Sequence, residues 1–143
     1  MPAIYVHTHL VTAEETDWQG HANNVSYFHW LQDAAVDHSS AQGWKAARYK
    51  EAGIAWVARS HYIEYRSPCR AGETITVQTW CASFRRATSV RRYRIVRPQD
   101  NVCIAVAETK WAFVDWQTGK PCRIRNEVSS AFDIVEAEMH DEV

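Results

Sequence analysis

A chain of 143 residues with a formal net charge of −1 at pH 7 is expected to form one domain with a real core. That balance excludes the strongly basic surface that nucleic-acid binders carry. No apolar run is long enough to span a bilayer, and the start of the chain lacks a signal pattern. The cysteines at 69, 81, 103 and 122 show no Cys-x-x-Cys spacing. They read as reduced thiols of a cytoplasmic protein rather than as a zinc site, and no metal is expected.

Taken in order, residues 4–11 alternate as a strand does, with Tyr5, His7, His9 and Val11 on one side. His7 and His9 share a face, but no third ligand lies near them in sequence, so a solvent-facing or interface pair is expected. Glu14 and Glu15 lead into a polar loop. Tyr27, Leu31, Ala34, Ala35 and His38 then recur at helical spacing and predict a long helix over residues 24–38. Asn23 or Asn24 is its expected cap, and Asp33 and Asp37 its solvated acids. Gly43 breaks the pattern, and residues 44–52 read as a second helix stopped by Gly53.

From residue 55 the period changes to two. Strands are expected over 55–65, 74–84, 89–97 and 102–116, with turns at Pro68 to Glu73, at Pro98 to Asn101 and at Thr118 to Pro121. Ile75, Val77, Thr79 and Cys81 share one face of the second of these strands. Ala105, Ala107, Thr109, Trp111 and Phe113 share one face of the last. Glu108 and Lys110 fall on the opposite face, which should meet water or a partner. Residues 126–135 predict a final short helix, and the acidic tail beyond Ala137 should fray. One helix cannot cover both faces of such a sheet, so the sheet should leave one face open or wrap round the helix.

The chemistry concentrates in Thr16-Asp17-Trp18-Gln19-Gly20-His21-Ala22-Asn23-Asn24-Val25-Ser26-Tyr27-Phe28. This is a polar loop emptying into a helix N-terminus, where unpaired N–H groups and the dipole stabilise an anion or a developing oxyanion. Asp17 lies just upstream, placed to act as a base or nucleophile. The plainer reading is a helix entry rich in capping residues.

Asp17-x-x-Gly20-His21-x-Asn23-Asn24-x-x-Tyr27 resembles the signature of the hotdog-fold thioesterases, in the 4-hydroxybenzoyl-CoA thioesterase-like group. The His-x-Asn-Asn variant also resembles the plant acyl-ACP thioesterases. The resemblance runs along nearly the whole chain. It implies an α+β hotdog fold, a five-stranded antiparallel sheet wrapped around one long helix, where cystatin-like and nuclear-transport-factor-like domains order their helices differently. It implies hydrolysis of an acyl- or aryl-CoA thioester. Asp17 takes the place of the catalytic aspartate, and the backbone N–H of Asn24 that of the oxyanion donor. Gly20 lets the loop approach closely, His21 and Asn23 support the carbonyl and water, and Tyr27 helps position the substrate. Asp33 is a lesser candidate, since an acid on this helix serves in some members. Family members pair edge to edge with the active site between subunits, so a homodimer or a homotetramer is expected, with no organic cofactor.

Phe84-Arg85-Arg86-Ala87-Thr88-Ser89-Val90-Arg91-Arg92 is the one concentrated basic stretch. Arginine forks suit the phosphates of CoA, and family members bind the nucleotide near this hairpin, which makes Arg85, Arg86 and Ser89 candidates. A solvated basic strand is the plainer reading. The same arginines could dock an acidic acyl carrier protein. A hotdog hydratase would place its His five residues after the Asp, whereas His21 is four after Asp17 and no Pro follows. A non-catalytic acyl-CoA binding protein would not need Asp17.

Overall fold

In the computed structural model, which describes residues 3–136, five strands form a single antiparallel sheet. The strands are β1 (Tyr5–Leu10), β2 (Ile54–Tyr65), β3 (Thr74–Arg85), β4 (Thr88–Arg97) and β5 (Val102–Asp115). Their spatial order is β1-β3-β4-β5-β2, so β1 and β2 are the edges. The helices are α1 (Asn24–Ala41), α2 (Ala46–Ala52) and the four-residue α3 (Asn126–Ser129). This is the hotdog arrangement expected from the sequence.

Period-two alternation builds the sheet's inner face. Ile75, Val77, Tyr93, Ile95, Ala105 and Ala107 form one cluster with Tyr27, Trp30, Leu31, Ala34 and Ala35 of α1. Ala34 and Ala35 are both buried on the face of α1 that packs on the sheet, where small residues allow a close approach. Each of Leu31, Ile75, Val77 and Ile95 is fully buried and stabilises the fold by roughly 1.5–3 kcal/mol. Register shifts after Ala58, Cys81 and Ile95 mark bulges, which add local twist to their strands. A second cluster, centred on Trp44, Ile54, Phe113, Ile124 and Val128, lies where α2 and the C-terminal segment cover the other end of the sheet.

Several expectations are modified. The long helix runs on to Ala41, three residues past His38. The final helix stops at Ser129, because the chain then becomes extended beside β3. There the amide of Val135 donates to the carbonyl of Cys81 at 2.9 Å, satisfying an acceptor beyond the reach of β1. His7 and His9 do not face solvent or a partner as free groups. His7 pairs with Asp37 at 2.6 Å and His9 with Glu15 at 2.8 Å, so Asp37 is not merely solvated. Glu108 is bonded to Arg92 across β4 and β5 at 3.0 Å, while Lys110 is exposed as expected. All four cysteines are unpaired. The tail beyond residue 136 lies outside the described residues.

Candidate active site

The loop between β1 and α1 is closed by a bridge between Thr16 and Ala22 and held by its own backbone. The Asp17 amide donates to the His21 carbonyl at 2.8 Å, and the Gly20 amide to the Asp17 carbonyl at 3.0 Å. That tight turn needs a positive φ at Gly20, which is +78°. An added Cβ there would sit 3.8 Å from the Arg70 guanidinium, so conformation rather than space demands the glycine. The Ala22 amide reaches the Cys69 carbonyl at 2.8 Å, which ties the loop to the β2–β3 connection.

Asp17 is exposed, and its Oδ1 accepts from the backbone amides of Gln19 at 2.9 Å and His21 at 3.2 Å. Its Oδ2 has no hydrogen-bond partner among the described residues. One oxygen therefore fixes the carboxylate, while the other makes no hydrogen bond to the described residues. Asn23 caps α1, its Oδ1 accepting from the Ser26 amide and hydroxyl, both at 2.9 Å. Asn24 opens the helix, where its N–H belongs to the first turn that no intrahelical carbonyl can satisfy.

A cleft of about 350 Å³ joins these groups. Asp17, His21, Asn24 and Tyr27 line it, facing Tyr65, Arg66 and Ser67 at the end of β2. Gly20 and Asn23 shape the loop beneath without lining the cleft. Tyr27 is 3% exposed, stacks edge-on with Tyr65 at 4.9 Å, and turns its hydroxyl to the Cys69 sulfur at 3.7 Å. Burial first, then the neighbouring thiol, pushes its pKa far up, so it is a neutral wall and not an acid–base group. Asp33 is exposed on α1 and does not line the cleft.

The hairpin arginines lie elsewhere. Arg85 and Arg86 are exposed at the β3–β4 tip, where the Arg86 carbonyl takes the Ile124 amide. That tip adjoins the Ala112 end of β5, whereas the cleft adjoins Ala105, a separation on the order of 20 Å along the strand. Ser89 is 4% exposed and donates its hydroxyl to the Ser83 carbonyl at 2.8 Å, pointing inward and away from the arginines. One chain does not bring Arg85, Arg86 and Asp17 together. Among the described residues no three His, Cys, Asp or Glu side chains are placed to hold a metal, and no helix is long and apolar enough to cross a membrane.

One structural anchor of the site carries only a faint signal in the sequence. Glu15 accepts at its carboxylate from His9 at 2.8 Å, from the Thr12 amide at 2.9 Å and from the Trp30 indole at 2.7 Å. Its carbonyl takes the Asn23 amide at 2.8 Å. Burial pushes its carboxyl up, but the bonds from His9, Thr12 and Trp30 prevail and pull it down to about 2. The Thr12-x-x-Glu15 spacing, that of a capping box, was the available signal.

A five-stranded antiparallel sheet packed on one long helix, with a cleft at the helix start, is the hotdog arrangement, and the family match makes it that of a thioesterase. Residues 2–132 match the family model for the acyl-ACP thioesterase N-terminal domain, and the chain belongs to that family. An Aquifex aeolicus protein provisionally described as an esterase is 27% identical over 128 residues, covering 90% of this chain and 95% of that one. Two solved structures show the same fold. A Lactobacillus plantarum protein provisionally described as an oleoyl thioesterase superposes with a TM-score of 0.86 at 20% identity, over 94% of this chain. This chain spans about half, 53%, of that protein's length. A 1,4-dihydroxy-2-naphthoyl-CoA thioesterase from Synechocystis superposes with a TM-score of 0.83 at 15% identity, over 90% of this chain and 94% of that one.

Proposed function

We propose that this protein hydrolyses an acyl-CoA thioester to the free acid and CoA, working as a homodimer. The observation that carries the reading is the convergence of an unpartnered Asp17 oxygen with the start of α1 in one cleft. The acyl carbonyl would lie against the Asn24 N–H, where the helix start stabilises charge as it develops on oxygen. Asp17 would take a proton from water as the water oxygen bonds to the acyl carbon. The C–S bond then breaks, the electron pair leaves with sulfur, and that proton passes to the departing thiolate. Direct attack by Asp17 on the carbonyl, followed by hydrolysis of the anhydride, is the variant of the same scheme. His21 and Asn23 hold the loop in place for either course.

The open sheet edge supports the dimer. Residues 57–62 of β2 are all exposed, on both faces of an edge strand, which is a liability proteins cover or pair. Antiparallel pairing of that run with a second copy would set Tyr65 opposite the partner's Ile54. Each Asp17 cleft would then adjoin the other subunit's hairpin end, and Arg85 and Arg86 would come within reach of a bound nucleotide. An acyl carrier protein is the second reading of the substrate, favoured by the family match and by the exposed arginine tip.

Asp17→Asn tests the reading. With a panel of acyl-CoA and carrier-protein thioesters, the variant should lose at least about two orders of magnitude in kcat on the best substrate. Near wild-type turnover by a folded variant would remove Asp17 from the chemistry.

A further inference from the structure

A second cavity, of about 290 Å³, lies toward the other end of α1, and nothing above uses it. Trp44, Trp56, Trp111 and Trp116 line it with Phe84 and Phe132. In this apolar setting Arg91 also lines the wall, only 6% exposed. Its Nη1 donates to His38 Nδ1 at 2.9 Å and to the Thr79 hydroxyl at 3.1 Å. Its Nε and Nη2 have no hydrogen-bond partner among the described residues, no carboxylate there pairs with it, and its guanidinium lies 5.9 Å from the centre of the Phe132 ring. His38 cannot neutralise it. Burial first, and the Arg91 charge second, hold the imidazole down at about 3, so it is a neutral acceptor.

A buried cation without a counter-ion costs several kcal/mol, which is why buried charges are nearly always paired. Here the unused half of a guanidinium fork borders a cavity of the size and lining of a small-ligand site. A planar fork of N–H donors matches a carboxylate, and the aromatic walls match an apolar body.

We propose that this cavity binds an apolar group ending in a carboxylate, and that the group is the far end of the substrate's acyl chain. The second half rests on the thioesterase reading above. Within one chain the cavity lies about 18 Å along α1 from Asn24, judged from Val36. In the edge-paired dimer the Asp17 cleft adjoins the other subunit's cavity, since Ile54 lines it. The protein would then prefer thioesters of dicarboxylic acids to those of plain fatty acids of equal length.

The test has a binding arm and a turnover arm. Tryptophan fluorescence of the full chain is titrated with 4-phenylbutyrate and with 4-phenylbutanamide. The acid should bind at least about tenfold more tightly, the scale of charge-assisted hydrogen bonds. Arg91→Met should abolish that preference, and Arg91→Lys should keep part of it, which covers the case in which Arg91→Met fails to fold. Equal binding of acid and amide by the wild type, or an unchanged preference in Arg91→Met, would overturn the site. Binding that emerges only after residues 138–143 are removed would assign the guanidinium to the chain's own acidic end and overturn it too. In the turnover arm an eight-carbon dicarboxylic acyl-CoA should have at least about tenfold higher kcat/KM than octanoyl-CoA, and Arg91→Met should erase the difference. Equal kcat/KM for the two would overturn the acyl assignment. No hydrolysis of either, nor of any acyl-CoA or carrier-protein thioester in the panel, with acid binding intact, would support the carboxylate site and sink the hydrolase reading.

Discussion

At the scale of single residues, the catalytic candidate depends on a neighbour that does no chemistry. Asp17 is held by two backbone amides of its own loop, and that loop is held by Glu15. Glu15 has a depressed folded-state pKa, so its contribution to stability is fully present above about 4.5 and is lost as pH falls through about 2. Glu15→Gln should therefore destabilise the protein by about 1–2 kcal/mol at pH 7. The gap to wild type should narrow between pH 4.5 and 2. Urea titrations of both proteins across that range would reveal it. A gap that stays constant down to pH 2 would mean the charge of Glu15 contributes nothing. The sequence showed Asp17 because an acid before a Gly-His-x-Asn-Asn string is a local pattern. It did not show the role of Glu15, because three of its partners (His9, Trp30 and Asn23) reach it only once β1 and α1 have met.

Among the elements, α1 and the β3–β4 hairpin answered to the sequence in different degrees. Tyr27, Leu31, Ala34, Ala35 and His38 are all buried, as their spacing predicted. Trp30 is buried as well: it stands three residues after Tyr27 and four before Ala34, at the edge of the same stripe, and its indole N–H has Glu15 to bond. In sequence the hairpin is one basic unit, yet its two halves face opposite ways. Arg85 and Arg86 stand in solvent at the tip, and Ser89 and Arg91 are turned inward. If the tip binds CoA phosphates, Arg85→Ala with Arg86→Ala should raise KM several-fold with little change in kcat. That rise should shrink as salt increases, since exposed ion pairs are screened. Steady-state kinetics at low and high ionic strength would show it. A KM unchanged at every salt concentration would take the tip out of the site.

For the whole molecule, the proposed dimer is what would bring the arginine tip to the Asp17 cleft. Asp17 and the arginine tip lie at opposite ends of one sheet, and β2 offers an open edge between them. Light scattering at micromolar concentration should give a dimer or tetramer, and a fully active monomer would contradict a shared site. Mixing Asp17→Asn with Ala55→Arg, which obstructs the opposing wall, should restore about a quarter of wild-type activity. Half of the dimers would be mixed, each with one whole site. No recovery after confirmed subunit exchange would mean that each chain builds its own site.

What the sequence determined by itself is what local rules govern. Alternation in residues 74–84 and 102–116 placed strands, the 3.6-residue stripe placed α1, and a capped loop placed Asp17 at its start. Short-range patterning needs no knowledge of distant partners. Tertiary structure alone decided the pairing of His7 with Asp37 and the end of α3 at Ser129, where β3 offered Val135 an acceptor. It also decided that Arg91, one charge in a basic stretch, is buried beside His38 on the wall of an apolar cavity. Such burial arises from residues 38, 79, 91 and 132 meeting across three elements and the C-terminal segment, and nothing in the order of a linear chain records that meeting.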